Sequence, residues 1–120
     1  MFRKVAAAAV VSALVLTAAV AVQAGSTAGR ILHSDVVRPF STDQYQAVFT
    51  GGVTTYLGVR GDHDTDLDLY VYDENGNLIA ADTDGSDTCL VSFTPRWTGM
   101  FTIRIVNRGA LANAYMVVSN

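Results

Sequence analysis

The stretch Asp66-Leu67-Asp68-Leu69-Tyr70-Val71-Tyr72 decides the fold class of this 120-residue chain. Its side chains alternate, with the two leucines and the valine on one face and the aspartates and tyrosines on the other. A period of two, with branched and aromatic residue types, is typical of a half-buried β-strand. The following Glu74-Asn75-Gly76 predicts a turn, and residues 77–81 predict the returning strand of a hairpin.

Two registers of this hairpin are open, and they place different residues opposite each other. A two-residue turn at Asn75-Gly76 would pair Leu69 with Asp82 and put a carboxylate on the apolar face. A three-residue loop, with Gly76 in the left-handed conformation, pairs Leu69 with Ala81 instead. Because a one-residue slip moves every side chain to the other face, the apolar pattern favours the three-residue loop.

The favoured register brings carboxylates together on the polar face, since it sets Asp68 opposite Asp82 and Asp66 opposite Asp84. Like charges directly opposite each other destabilise a strand pair, so we expect either water or a cation between them. Calcium takes about six to eight oxygen ligands, and carboxylates at every second residue can converge on one ion. The candidate calcium ligands are the aspartates of this region: Asp64, Asp66, Asp68, Asp82, Asp84 and Asp87. The alternative is a solvated acidic rim that keeps a sheet edge soluble.

Much of the remaining chain alternates in the same way, in short runs separated by turn residues. These runs cover residues 43–49, 55–60, 89–94, 101–106 and 114–118. No helical period follows the N-terminal region. The spacing therefore predicts an all-β, antiparallel, jelly-roll-like β-sandwich of about seven to eight strands.

The first 24 residues have the features of a signal peptide. Arg3 and Lys4 precede an apolar run at 5–20, and small residues at 22–24 form a typical cleavage site. The alternative is a transmembrane anchor, but the run is shorter than the roughly 20 apolar residues that span a bilayer. We therefore predict a signal peptide at 1–24, an N-terminal leader at 25–40 and a domain at 41–120. The expected location is secreted or periplasmic, without a membrane partner after cleavage.

The negative charge of the chain is local. The net charge is −3, and nine of the eleven carboxylates lie between Asp62 and Asp87, a segment without Lys or Arg. Nucleic acids and anionic membranes both bind basic surfaces. The sequence therefore disfavours both as partners.

Residues suited to catalysis are few. A Ser–His–Asp arrangement of His63 with Ser86 or Ser92 is one alternative, but no Gly-x-Ser-x-Gly motif or other activating context accompanies it. Two distant histidines and the single Cys89 do not form a zinc ligand set. The Cys89 thiol falls on the apolar side of its strand, and we predict that it is buried rather than paired between molecules. The sequence thus predicts a protein that is not an enzyme.

Four aromatic residues are candidates for ligand binding, because Tyr and Trp are favoured at interfaces. They are Tyr56, Tyr70, Tyr72 and Trp97. Tyr70 and Tyr72 share the outward face of the central strand, where they would form a platform for a sugar or an extended peptide. The alternative is that a second layer or the N-terminal segment covers them.

Residues 64–73, followed by Asn75-Gly76, 91–95, Thr98-Gly99 and 101–105, resemble the bacterial pre-peptidase C-terminal domain. The resemblance extends over residues 43–118. It implies a jelly-roll-like sandwich that is normally appended to secreted proteases and other exported enzymes. The clostridial collagen-binding domains are similar in shape and bind calcium and fibrous protein. Those relatives draw calcium ligands from an acidic N-terminal segment, where residues 30–40 of this chain offer only Asp35.

The residues and the resemblance together lead us to expect a small exported, non-catalytic binding or accessory module, with calcium as a stabilising ion. The expected partners are an extracellular protein or polysaccharide, or a secreted protease. Two alternatives remain open from the sequence: a secreted hydrolase, and a detached accessory domain of a secreted peptidase.

Overall fold

The computed structural model describes residues 30–120, which form eight β-strands and no helix. The strands are β1 (Arg30–Val37), β2 (Thr42–Phe49), β3 (Thr55–Arg60), β4 (Leu67–Tyr72), β5 (Leu78–Asp82), β6 (Thr88–Phe93), β7 (Gly99–Asn107) and β8 (Asn113–Ser119). The predicted signal peptide at 1–24 lies outside the described residues. Within residues 30–120, no helix is long and apolar enough to cross a membrane.

The strands form two four-stranded antiparallel sheets. One sheet has the order β1-β8-β3-β6, and the other has the order β2-β7-β4-β5. The ladders thus pair β1 with β8, β2 with β7, β3 with β6 and β4 with β5. This is the connectivity of a jelly roll. The predicted all-β sandwich, with its number of strands, is confirmed.

The core lies between the two sheets and follows the predicted alternation. Leu67, Leu69 and Val71 of β4 are fully buried, and Ile103 and Ile105 of the neighbouring β7 are fully buried beside them. Burying a side chain of this size contributes about 1.5–3 kcal/mol to folding. The same alternation leaves Asp68, Tyr70 and Tyr72 on the outer face of the sheet.

The Cys89 thiol is buried, since only 2% of the residue is exposed, and it donates a hydrogen bond to the Leu67 carbonyl at 3.1 Å. Burial, followed by nearby carboxylates, raises the pKa of Cys89 to about 12. Because the thiolate is the reactive species, we expect a thiol reagent near neutral pH to label Cys89 only after unfolding. A Thr88→Cys, Cys89→Ala variant, with its thiol at an exposed position, should be labelled at once. Rapid labelling of the native protein at Cys89 would contradict this expectation.

The sandwich begins earlier than the boundary predicted at residue 41. β1 lies within the predicted leader at 25–40 and pairs with β8 from Arg30↔Ser119 to Val37↔Asn113. A β-bulge between Ile31 and His33 interrupts the alternation of this edge strand. The bulge explains why no clean period marks the strand in the sequence.

The central hairpin closes with the predicted three-residue loop but then changes register. The Asp73 N–H donates to the Asn77 carbonyl at 2.9 Å, and Gly76 has a φ of +83°. A bulge next to Tyr72 then shifts the pairing, so that Leu69 lies opposite Asp82. The predicted pairs Leu69–Ala81, Asp68–Asp82 and Asp66–Asp84 are therefore wrong.

The reason for the shift lies in the neighbouring sheet. Asp82 is on the inward side of β5, and its Oδ2 accepts the Leu90 N–H of β6 at 2.9 Å. β5 and β6 are edge strands of different sheets. The carboxylate therefore reaches a backbone donor across the open side of the sandwich, and this contact compensates for its position beside the core.

Candidate functional site

Two acidic loops lie side by side at one end of the sandwich, residues 61–66 between β3 and β4 and residues 83–87 between β5 and β6. Backbone hydrogen bonds join them, from the Gly61 N–H to the Asp87 carbonyl at 3.0 Å and from the Leu67 N–H to the Ser86 carbonyl at 3.2 Å. A depression of about 400 Å³ lies between the loops, and we call it the acidic depression. Its lining residues are His63, Asp64, Thr65, Asp66, Gly85, Ser86 and Asp87.

The buried side chains of Asp87 and Asn113 join these two loops through hydrogen bonds. Only 4% of Asp87 is exposed, and its Oδ2 accepts the His63 N–H and, at 3.1 Å, the Asn113 Nδ2–H. Asn113 is fully buried, its Oδ1 accepts the Asp62 N–H at 3.0 Å, and its Nδ2 donates to Thr65 Oγ1. Asp87, a predicted calcium ligand, is thus engaged in hydrogen bonds within the protein. No pattern in the sequence pointed to Asn113.

Two further predicted calcium ligands accept hydrogen bonds from nearby groups of the protein. Asp84 Oδ1 accepts the Ser86 N–H at 3.1 Å and the Ser86 Oγ–H at 3.0 Å. Asp82 Oδ2 accepts the Leu90 N–H. Asp and Ser commonly stabilise turns through such local bonds. Both carboxylates are therefore engaged in hydrogen bonds within the protein.

A protein cation neutralises the carboxylate of Asp68. Asp68 is only 3% exposed, and its Oδ2 accepts a hydrogen bond from Arg108 Nε at 2.8 Å. The Arg108 guanidinium also contacts the Tyr70 hydroxyl at 3.4 Å, and the Arg108 N–H donates to the Asp66 carbonyl. No local pattern in the sequence connects Arg108 with Asp68, because the two residues lie 40 positions apart.

Two buried carboxylate oxygens remain without a hydrogen-bond partner in the described part of the chain. They are Asp66 Oδ1 and Asp68 Oδ1. Burial, followed by repulsion from Asp68, raises the pKa of Asp66. These two oxygens fit part of a cation's ligand set, although residues 30–120 contain no group of three or more His, Cys, Asp or Glu side chains arranged to hold a metal ion. Asp64 is exposed in the neighbouring loop, and its pKa is raised first by Asp62.

His63 is mostly exposed and lies beside Asp87, with 3.4 Å between His63 Nδ1 and Asp87 Oδ1. Its φ of +71° places it in the left-handed region, as a loop residue. The Ser86 hydroxyl has Asp84 Oδ1 and the Thr88 carbonyl as acceptors for its single proton, at 3.0 and 3.1 Å, rather than His63. The described residues therefore do not join His63 and Ser86 as a nucleophile and its base.

The four candidate aromatic residues lie on different surfaces. Tyr70 and Tyr72 are half-buried on the outer face of the sheet β2-β7-β4-β5, as predicted from their spacing. Tyr56 is 54% exposed on the outer face of the other sheet. Trp97 is 44% exposed in the loop between β6 and β7, where its ring and the Glu74 carboxylate both lie against Gly99. Tyr56 thus cannot share a small ligand with Tyr70 and Tyr72.

A second depression, of about 270 Å³, lies beside Tyr72 on this outer face, and we call it the Tyr72 depression. Its lining residues are Gln44, Tyr72, Asp73, Glu74, Gly76, Thr102 and Arg104. The strand register brings them together, since Arg104 lies between Gln44 and Tyr70, and Thr102 lies opposite Tyr72. Arg104 Nε is buried without a hydrogen-bond partner among the described residues.

Comparison with known proteins identifies no relative: no family model and no curated protein matches the chain. The resemblance to the pre-peptidase C-terminal domain therefore rests on the motifs in the sequence.

Proposed function

We propose that this chain is a small exported, non-catalytic binding or accessory module that acts in the periplasm or outside the cell, as a free-standing relative of the pre-peptidase C-terminal domain. The observation that carries the proposal is the outer face of the sheet β2-β7-β4-β5. Tyr70 and Tyr72 lie there half-buried, next to Arg104, which has no ion pair among the described residues of this acidic protein. Half-exposed tyrosines and arginine are typical of binding surfaces.

The ligand is an extracellular protein or polysaccharide, and a secreted protease is the proposed partner of an accessory role. The test is retention of the purified chain by insoluble polysaccharides and by fibrous proteins. Replacing both Tyr70 and Tyr72 by Ala should weaken retention by about tenfold or more, since truncating a central aromatic residue commonly costs over about 1 kcal/mol. Tyr56→Ala, on the opposite sheet, is the matched control and should be retained like the parent protein.

Retention that is equal in the parent protein and the double variant would show that this face is not the binding surface. Turnover of a substrate by the purified chain alone would contradict the non-catalytic part of the proposal.

We also propose that calcium stabilises the domain at Asp66 and Asp68, whose partnerless oxygens support the assignment. The other oxygen ligands would be water and neighbouring loop groups. A ligand that binds only the folded state adds about 2.7 kcal/mol at a hundred times its dissociation constant. For a domain of this size, the melting temperature should therefore rise by roughly 10 °C in millimolar calcium. Magnesium should have a smaller effect because it requires stricter octahedral geometry.

Asp66→Asn should separate calcium binding from simple charge repulsion. The folded-state pKa of Asp66 is raised, so its charged form opposes folding above the unfolded-state pKa, and Asn removes that opposition. In chelator the variant should melt slightly higher than the parent protein, and calcium should no longer raise its melting temperature. Asp35→Asn, at the far edge strand, should keep the full calcium response. Identical melting curves of the parent protein in calcium and in chelator would contradict a calcium site and would show that these residues form only a solvated acidic rim.

A further inference from the structure

We infer that the Tyr72 depression binds one unit of an uncharged saccharide. The inference rests on the proposed function and names the class of ligand for that surface. The depression has a volume of about 270 Å³, close to the lower end of the size range of small-ligand sites. Its shape and lining are those of a shallow site that takes part of a longer chain.

The charges that line the depression select against a charged ligand. Arg104 has no hydrogen-bond or ion-pair partner among the described residues, although Asp73 and Glu74 line the same depression. An anion would meet these two carboxylates, and a cation would meet the guanidinium. A neutral ligand meets neither repulsion.

The polar groups match hydroxyls, which both donate and accept hydrogen bonds. Arg104 donates only, the Glu74 carboxylate accepts only, and the Gln44 amide does both. The Asp73 carboxylate is less available, because it accepts the N–H groups of Asn75 and Asn77 in the turn. A ring that carries several hydroxyls can use each of these groups at once.

The aromatic wall is supplied by Tyr72, with Tyr70 two residues along the same face. A half-exposed tyrosine ring offers a flat apolar surface beside a polar hydroxyl. A sugar ring has the complementary shape, with C–H groups on its face and hydroxyls around its edge. An extended peptide gains most of its affinity by pairing with an exposed sheet edge, whereas this depression lies on a sheet face across β2, β7 and β4.

The test follows the amide NMR spectrum of the full chain during titration with soluble oligosaccharides. The neutral probes are oligomers of glucose, xylose and N-acetylglucosamine, the charged probe is oligogalacturonate, and the peptide probe is gelatin hydrolysate. A neutral probe should shift the signals of Gln44, Tyr72 and Arg104. Tyr72→Ala should weaken that binding at least about tenfold, as expected for the loss of a stacked aromatic ring. Tyr72→Phe should retain most of it, and Tyr56→Ala should leave it unchanged.

Several results would overturn the inference. Absence of binding by all the neutral probes would do so, as would binding at the Tyr56 face, or tighter binding of oligogalacturonate than of any neutral probe. Gelatin binding that shifts Tyr70 and Tyr72 while the saccharides do not would also overturn it, but would support the proposed function. If in addition neither polysaccharides nor fibrous proteins are retained through this face, the proposed function fails too.

Discussion

Asn113→Leu is expected to lower the free energy of unfolding by about 3–5 kcal/mol, because it leaves buried polar groups unpaired around a buried carboxylate. Asn113 is fully buried and contacts Asp62, Thr65 and Asp87. Leucine has a similar size but offers no donor or acceptor. The Asp62 N–H would lose its acceptor in a partly buried position, and the Asp87 carboxylate would lose one donor away from water. Urea unfolding, monitored by circular dichroism, measures the change.

The matched control is Asn75→Leu. Asn75 is exposed in the hairpin turn, and only its backbone N–H takes part in a hydrogen bond there. Its replacement should change the free energy of unfolding by no more than about 0.5 kcal/mol. In the Asn113 variant, the amide signals of residues 61–66 and 83–87 should move together, because the same side chains hold both loops. A loss below about 1 kcal/mol for Asn113→Leu would show that other contacts position the loops.

Arg108→Ala is expected to lower the free energy of unfolding, since it removes the cation from a carboxylate that is only 3% exposed. The loss should be smaller than for a fully buried pair because the arginine side chain is 55% exposed and water screens its charge. Adding Asp68→Asn to this variant should recover part of the loss, since no unpaired charge then remains. Arg104→Ala, in the strand that ends just before Arg108, is the matched control. It should cost under about 1 kcal/mol because the Arg104 side chain has no hydrogen-bond or ion-pair partner among the described residues.

Arg108 also links the stability of the domain to the proposed calcium site. Without the guanidinium, Asp66 and Asp68 keep two negative charges, and no other cationic side chain of residues 30–120 forms an ion pair with them. Calcium should therefore raise the melting temperature of Arg108→Ala more than that of the parent protein, if the ion binds at these oxygens. The pairing of Asp68 with Arg108 would be contradicted if the two substitutions changed the free energy of unfolding additively, so that Asp68→Asn recovered none of the loss caused by Arg108→Ala.

The spacing of residues along the sequence could not predict the partners of the acidic side chains. Asp68 is paired by Arg108, and Asp87 is held by Asn113, which lies 26 positions further along the chain. Both partners come from the β7–β8 part of the chain, and they reach the central hairpin only because the jelly roll places β7 beside β4 and β8 beside β3. A local pattern contains no information on such neighbours. The cation beside Asp68 in this structure is therefore Arg108, a side chain of the protein itself.

The sequence by itself determined what depends on local geometry. Alternation in β4 placed Leu67, Leu69 and Val71 inside and Tyr70 and Tyr72 outside, because successive side chains of a strand point to opposite faces. The same rule placed the Cys89 thiol in the core. Gly76 defined the three-residue loop of the hairpin, because a left-handed residue is needed there.

Only the tertiary structure decided two features: the register of β5 beyond that loop, and the residue at which the domain begins. The bulge next to Tyr72 shifts the pairing of β5, and the resulting position of Asp82 is satisfied by a backbone N–H of the other sheet. The bulge in β1 interrupts the alternation by which this edge strand could be recognised in the sequence. Its partner, β8, lies at the opposite end of the chain. In the first case the deciding hydrogen bond joins strands of the two sheets, between residues only eight positions apart. In the second case the hydrogen bonds join the first and last strands of the domain within one sheet. Both form only when those strands come together in the folded protein, so local spacing could not predict them.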